Sequence, residues 1–429
     1  MRGPPAGAET IASSGGRPGA WPTRARGAGC RSGTRPHLGI VDPRRTDRLA
    51  ALTGLRFAAA LGILLFHQGG PLLAGAPAWA ERIRTGGHVW VGLFYVLSGF
   101  VLARAHPFPM DARARRAFWA ARLARLYPAY LLAFALAAPF ALERWAAGGP
   151  LAAAKAAAVA GAALLLVQAW VPPVARLWNA PGWSTSVVLA FYAAFPFAAA
   201  RLGRLSRRGL AGALAGAWAL SLLLPLVYLA LRPDGPVADP AWSEPPWLLA
   251  LKFHPLARAG EFLAGVALGL LHARGLVFRR GAAVAAPLAL LAAAGVLASG
   301  AAPYVLLHDG LLVPLFAVAV LALAQGRGVL ARALGSAPAR ALGDASFALY
   351  VLQEPLWLWG RRLAGGDGPA SPAFVLCYAA AAIAIALAVA RALERPARRA
   401  LRALTAPRAA AAPGGGEPAP VREARPLRP

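Results

Sequence analysis

Residues 53–70 read TGLRFAAALGILLFHQGG. The run is long and apolar enough for a helix that crosses a hydrocarbon core of about 30 Å. Yet it carries two ionisable side chains, Arg56 and His67. Such groups cost at least about 2.5 kcal/mol each at the centre of a bilayer, so they are functional candidates by default. Their separation of eleven positions turns a helix by about 1100°, roughly 20° past three full turns, and advances it by about 16 Å. Both side chains therefore lie on one stripe, a cation towards one end and an imidazole towards the other. The plain structural alternative is an arginine that snorkels to one interface and a histidine resting near the other.

Moving outward, ten further apolar stretches follow, at about 88–105, 126–143, 151–171, 183–200, 209–231, 256–273, 281–299, 305–324, 341–360 and 370–393. The chain of 429 residues is 58% hydrophobic and only 14% charged, where a soluble domain carries about 25% charged residues. A lipid-facing surface accounts for that deficit. The expected fold is all-α, a polytopic transmembrane bundle of about ten spanning helices plus one re-entrant segment, and the expected partner is the lipid bilayer.

A net charge of +28 would suit nucleic acid if it were spread over one face. Instead the arginines gather in tails and short loops, the pattern of the positive-inside rule, so no nucleic-acid partner is expected. Arg44, Arg45 and Arg48 place the N-terminus inside, and Arg395, Arg398 and Arg399 place the C-terminus there too. Clusters at 104–125, 201–208, 274–280 and 327–340 mark the inside loops between them. These markers give five helix pairs, so the three stretches between 126 and 200 must make two crossings. Arg361 and Arg362 then fall outside, against the rule.

Residues 1–46 and 404–429 are rich in Gly, Pro and Arg and read as disordered tails around a membrane domain at 47–403. A start further in, for example at Val41, fits the same reading. The two cysteines, Cys30 and Cys377, exclude a disulfide framework, and no Cys/His cluster has metal-ligand spacing, so no metal is expected. A P-loop, an HExxH motif and a carboxylate cluster are all lacking from the sequence.

More polar residues interrupt the apolar stretches. GGHVWVGLFYVLSGFVLA at 86–103 has Gly92, Ser98 and Gly99, which permit close helix packing. FWAARLARLYPAY at 118–130 sets Arg122 and Arg125 before Pro128. GWSTSVVLAFYAAFP at 182–196 holds Ser184 and Tyr192. HPLARAGEFLAG at 254–265 holds Glu261, LGDASFALYVLQEPLW at 342–357 holds Tyr350, Gln353 and Glu354, and LERPARR at 393–399 holds Glu394.

In this order, from about Arg48 to Arg399, the segments resemble the acyltransferase-3 family of bacterial membrane proteins. The most specific pieces are the Arg-x10-His pair, the FYVLSGF run at 94–100 and the Arg-x-x-Arg-x-x-Pro run at 122–128. The resemblance implies O-acyl transfer, usually of acetyl, from acyl-coenzyme A as donor substrate, with no bound cofactor. Its implied acceptors are hydroxyls of cell-surface glycans, lipid-linked molecules or small molecules. It implies a multi-pass protein of the bacterial inner membrane with both termini cytoplasmic. By the same resemblance His67 is the catalytic imidazole that takes the acceptor proton. Arg56 orients the donor or stabilises oxyanion charge. Arg122 and Arg125 hold the phosphates of coenzyme A, although inside-loop topology alone also explains them.

Two positions depart from the family pattern. Val188 stands where the segment resembling Trp-Ser-Leu-Ser-Val-Glu has its Glu, and Gln353 stands where His is frequent. Glu261 and Glu354 are candidate substitutes for the missing acid, and Glu261 has Arg258 one helical turn away as a simple structural partner. The missing Glu keeps open a non-catalytic or transporter-like member of the same fold.

Overall fold

In a computed structural model, residues 49–366 and 368–405 are described. The arginine marker at 44–48, the N-terminal tail and the chain after Thr405 lie outside them, and so does Cys30. Every regular element among the described residues is helical. The eleven apolar stretches each become helix, and eight helices are long and apolar enough to cross a membrane.

The first is α1 (Ala50–Gln68). A short α2 (Ala78–Thr85) leads into α3 (Trp90–Ala105). Next come α4 (Ala112–Glu143), α5 (Gly149–Leu164) and α6 (Gly182–Gly203). They are followed by α7 (Arg207–Leu231), α8 (Pro246–Phe253) and α9 (Ala259–Ala273). The chain continues through α10 (Ala282–Ser299), α11 (Tyr304–His308), α12 (Val313–Leu323) and α13 (Val329–Leu334). It closes with α14 (Ala337–Leu363), α15 (Pro372–Val389) and α16 (Arg395–Thr405). Several starts are fixed by side-chain caps: Asp111 accepts from the Ala114 amide at 2.7 Å, and Ser206, Ser336 and Ser371 do the same for α7, α14 and α15.

Polar contacts sort the loops onto two ends of the bundle. At one end, Arg274 donates to the Gly203 and Leu205 carbonyls and Arg395 reaches Asp344 at 3.4 Å. At the other, Arg84 donates to Phe66 O at 2.7 Å, Arg82 to Ala298 O at 3.1 Å, and Arg176 pairs with Glu244 at 3.1 Å. Arg362 also sits at this second end, paired with Glu143 at 2.6 Å and stacked over Phe140. That pairing explains an arginine on the face where the charge rule does not expect one.

The conflict between 126 and 200 resolves in α5. Its 16 residues reach about 24 Å, too short for the core. The helix starts at the end where α4 finishes, and its last carbonyls meet α4 halfway along: Tyr130 donates to Ala163 O at 2.7 Å and Tyr127 to Leu164 O at 3.2 Å. The chain then returns beside α4, with Trp178 donating to Phe134 O at 3.0 Å, before α6 crosses. At the tip the Ala169 amide donates to Ser186 Oγ of α6 at 3.3 Å, so the broken backbone is satisfied by protein, as a re-entrant segment requires.

The tightest packing joins α3 to α9. A Cβ on Gly99 would collide with the Phe262 carbonyl, and one on Gly265 with the Val96 carbonyl. Gly54 and Gly343 give α1 the same closeness to Leu334 and to α14. Apolar attraction between helices is weak in lipid, so such backbone contact and its dispersion energy hold the bundle. These contacts fix α1 on its neighbours and aim its polar stripe inward.

Candidate active site

The stripe on α1 opens into two cavities. Arg56 lines the first, together with Arg122 and Arg125 of α4, Ser184 and Tyr192 of α6, and Tyr350 of α14. The expected residues at 56, 122, 125, 184, 192 and 350 are thus brought to one place from four helices. Val188, at the position of the missing acid, faces the same space. Among the described residues this cavity is lined by no carboxylate, and the acids that act on Arg56 and Arg125, Asp344 and Glu394, lie outside its lining. Arg122 rests over the rings of Phe118 and Tyr192, and its buried Nε has no hydrogen-bond partner among the described residues.

His67 lines the second cavity, towards the other end. Its ring packs edge-on against Phe66 and Trp242, with centroids 4.7 and 6.1 Å apart, and no hydrogen bond from it is found among the described residues. Trp242 reaches this place because Lys252 holds its loop. The ammonium donates to the carbonyls of Pro240 at 2.9 Å, Ala241 at 3.0 Å and Ser243 at 3.3 Å. Burial lowers Lys252 to about 8, helped by the charge of Arg176 and opposed by Glu244 and Asp239.

Tyr350 and Val91 line both cavities. The two spaces therefore meet at these side chains, and Tyr350 OH is fixed there by Ser184 Oγ at 2.7 Å. Arg56 and His67 stand about 16 Å apart along the axis. One reacting carbonyl cannot touch both. Arg56 thus lines the first cavity and His67 the second.

The remaining candidates lie apart from the cavities. Glu261 is 2% exposed and pairs with Arg258 at 2.8 Å, the partner that its one-turn spacing suggested. Gln353 is fully buried and donates to Tyr350 O at 3.1 Å, and Glu354 is half-buried beside it on α14; neither lines a cavity. His88 and His308, by contrast, line the cavity of His67 without having been singled out from the sequence. For His308 a signal existed: His308-Asp309 is an ionisable pair inside the apolar stretch 305–324, the same anomaly that marked Arg56 and His67.

The family model described as "Acyltransferase domain" matches residues 49–391. The chain is 30% identical over 335 residues to Acyltransferase MdmB of Streptomyces mycarofaciens, covering 76% of this chain and 83% of that protein. It is 36% identical over 106 residues to Protein 2 in picA locus of Rhizobium radiobacter, covering 24% of this chain and 51% of that protein. No solved structure matches the chain.

Proposed function

The chain belongs to this acyltransferase-domain family and is a multi-pass membrane acyltransferase, and from that premise we propose that it moves an acyl group, acetyl in the simplest case, from acyl-coenzyme A to a hydroxyl of a surface glycan, a lipid-linked molecule or a small molecule. The observation that supports this reading is the pair of cavities set end to end along α1, three guanidiniums in one and in the other the His67 imidazole, with the one arginine of that lining, Arg176, paired to Glu244.

The donor's phosphates belong in the first cavity. Guanidiniums bind phosphate by paired N–H bonds, and Arg56, Arg122 and Arg125 face that space with no carboxylate in its described lining. On this reading the arginine end, and both termini, face the cytoplasmic side of a bacterial inner membrane, where acyl-coenzyme A resides. The donor's long pantetheine arm then carries the thioester past Tyr350 to the cavity of His67. The acceptor enters from the opposite end, against Trp242.

A hydroxyl is a weak nucleophile until a base takes its proton. Neutral His67 accepts that proton as the acceptor oxygen attacks the thioester carbonyl. The new C–O bond gives a tetrahedral oxyanion. Its collapse breaks the C–S bond, and the departing thiolate takes the proton back from the imidazolium. The products are the O-acyl acceptor and free coenzyme A, and His67 ends as it began.

Mass spectrometry of surface glycans, lipids and small molecules from cells with and without the gene tests this function. An acyl mass increment that disappears with the gene, and thiol release from acyl-coenzyme A by the purified protein on adding that acceptor, are the expected results. Transport of the acceptor across vesicles with no thiol released would defeat the reading.

A further inference from the structure

With Arg56 about 16 Å from His67, the reaction just derived needs its oxyanion donor in the second cavity. Of the donors lining it, Arg176 is paired with Glu244 at 3.1 Å and the Lys252 ammonium is taken up by three loop carbonyls, whereas His308 is open for the role. His308 ends α11, is 4% exposed and lines the space that His67 lines. Behind it lies Arg258, wholly buried and paired with Glu261 at 2.8 Å and with Asp309. Arg258 Nη1 approaches His308 Nδ1 at 2.6 Å and also donates to the His308 carbonyl.

A guanidinium has five N–H donors, no acceptor, and a proton it does not give up. A proton on His308 Nδ1 would therefore point at another donor 2.6 Å away. The competing partner for such a proton, Asp309 Oδ1, lies further off at 3.4 Å and is already bound by Arg258. Nδ1 must be bare. A neutral imidazole with a bare Nδ1 carries its hydrogen on Nε2, the one polar ring atom left, and no partner for Nε2 is found among the described residues. His88, stacked on His308 with centroids 5.5 Å apart, differs: its Nδ1 meets the Thr85 carbonyl at 3.1 Å, and its Nε2 is buried with no partner among the described residues.

We propose that His308 is a further catalytic residue, a neutral Nε2–H donor that Arg258 fixes in one tautomer and that binds the oxyanion formed when the acceptor attacks the thioester beside His67. The role rests on the acyl-transfer reading of the cavity given above. The hydrogen is shared with the oxyanion and not transferred, so His308 leaves the proton balance of His67 unchanged. Fixing the donor in advance matters because a preorganised N–H in a water-poor site needs no rearrangement as charge develops.

The test compares His308→Phe, which keeps a ring and loses the N–H, with His308→Gln, whose amide nitrogen can reach the place of Nε2. Removing one oxyanion donor costs about 10²- to 10³-fold in kcat. His308→Phe should lose that much with the acceptor KM nearly unchanged, and His308→Gln should recover at least about tenfold of it. The nitrogen shifts of labelled His308 in the wild-type protein should show Nε2 protonated and Nδ1 bare between pH 6 and about 8. A proton on Nδ1, a loss confined to KM, or equal loss in both variants would overturn the proposal. The His67→Ala variant separates the two levels. If it is inactive while His308→Phe matches wild type, only the His308 role fails. If it remains fully active, the reading of the cavity itself fails.

Discussion

The two ends of α1 face unlike surroundings. At one end Arg56 shares its cavity with two more guanidiniums and no carboxylate among the described lining residues. At the other, His67 sits among aromatic rings and imidazoles, where Arg176 is paired with Glu244 and Lys252 with loop carbonyls, and behind His308 the fully buried Arg258 is matched by Glu261 and Asp309. Three half-buried guanidiniums with acids only outside their cavity, Asp344 acting on Arg56 and Glu394 on Arg125, repel one another, and a ligand of opposite sign would complete them. The matched arginine instead acts as scaffold, since its charge is spent on orienting its neighbours. On the proposed reading, the contrast separates a place for holding an anion from a place for moving a proton.

His67→Ala gives the strongest test of that division. Loss of a general base should lower turnover by about 10³-fold while the affinity for acyl-coenzyme A stays near wild type, as read by thiol release and by isothermal titration. A parallel loss of donor affinity would mean that the two cavities do not divide the work. Next, Arg56→Ala should lower kcat/KM for the donor by about 10- to 100-fold, the worth of one charged hydrogen bond. Arg56→Lys should restore little of it, because a point charge cannot make the paired bonds. If lysine restores full activity, the cavity supplies charge alone.

Val188→Glu puts the acid of the family pattern back among the guanidiniums. In this chain it should neutralise part of the cation cluster and raise the donor KM by about tenfold. A rise in turnover instead would show that the arginine cavity needs an acid there and that the natural valine limits the enzyme. The smallest effect concerns the histidine end. Lys252 carries three N–H groups for three carbonyls only while protonated, and its value near 8 means that one is lost as pH rises through that point. The acceptor KM should therefore rise by about threefold above pH 8 in the wild type and be flat with pH in Lys252→Met. Stability runs the other way. The folded value lies below the ordinary 10.5, so between about 8 and 10.5 the unfolded chain binds more protons and this group favours folding as pH rises. A fall in thermal stability over the same window would show that the KM change is mere unfolding.

The candidate site was half legible in advance. Arg56, Arg122, Arg125, Ser184, Tyr192 and Tyr350, each singled out as a polar residue in or beside an apolar run, line one cavity. Glu261, Gln353 and Glu354 carried the same sequence signal, polar residues in apolar runs, yet packing turns them to partners or neighbours away from both cavities. Hydropathy marks a buried polar residue without saying what it is buried against.

The sequence by itself determined the all-helical membrane architecture, the family, and the common stripe of Arg56 and His67. Each follows from local rules: run length against bilayer thickness, a 3.6-residue period, and motif order. Tertiary structure alone decided that the stripe opens into two cavities that share Tyr350, that α5 turns back halfway, and that Arg258 meets His308 Nδ1 across 50 residues of sequence. Those facts depend on which helix faces which. That choice is made by glycine contacts, tyrosine bonds to carbonyls and charge pairing between distant segments, and no periodicity within one segment encodes it.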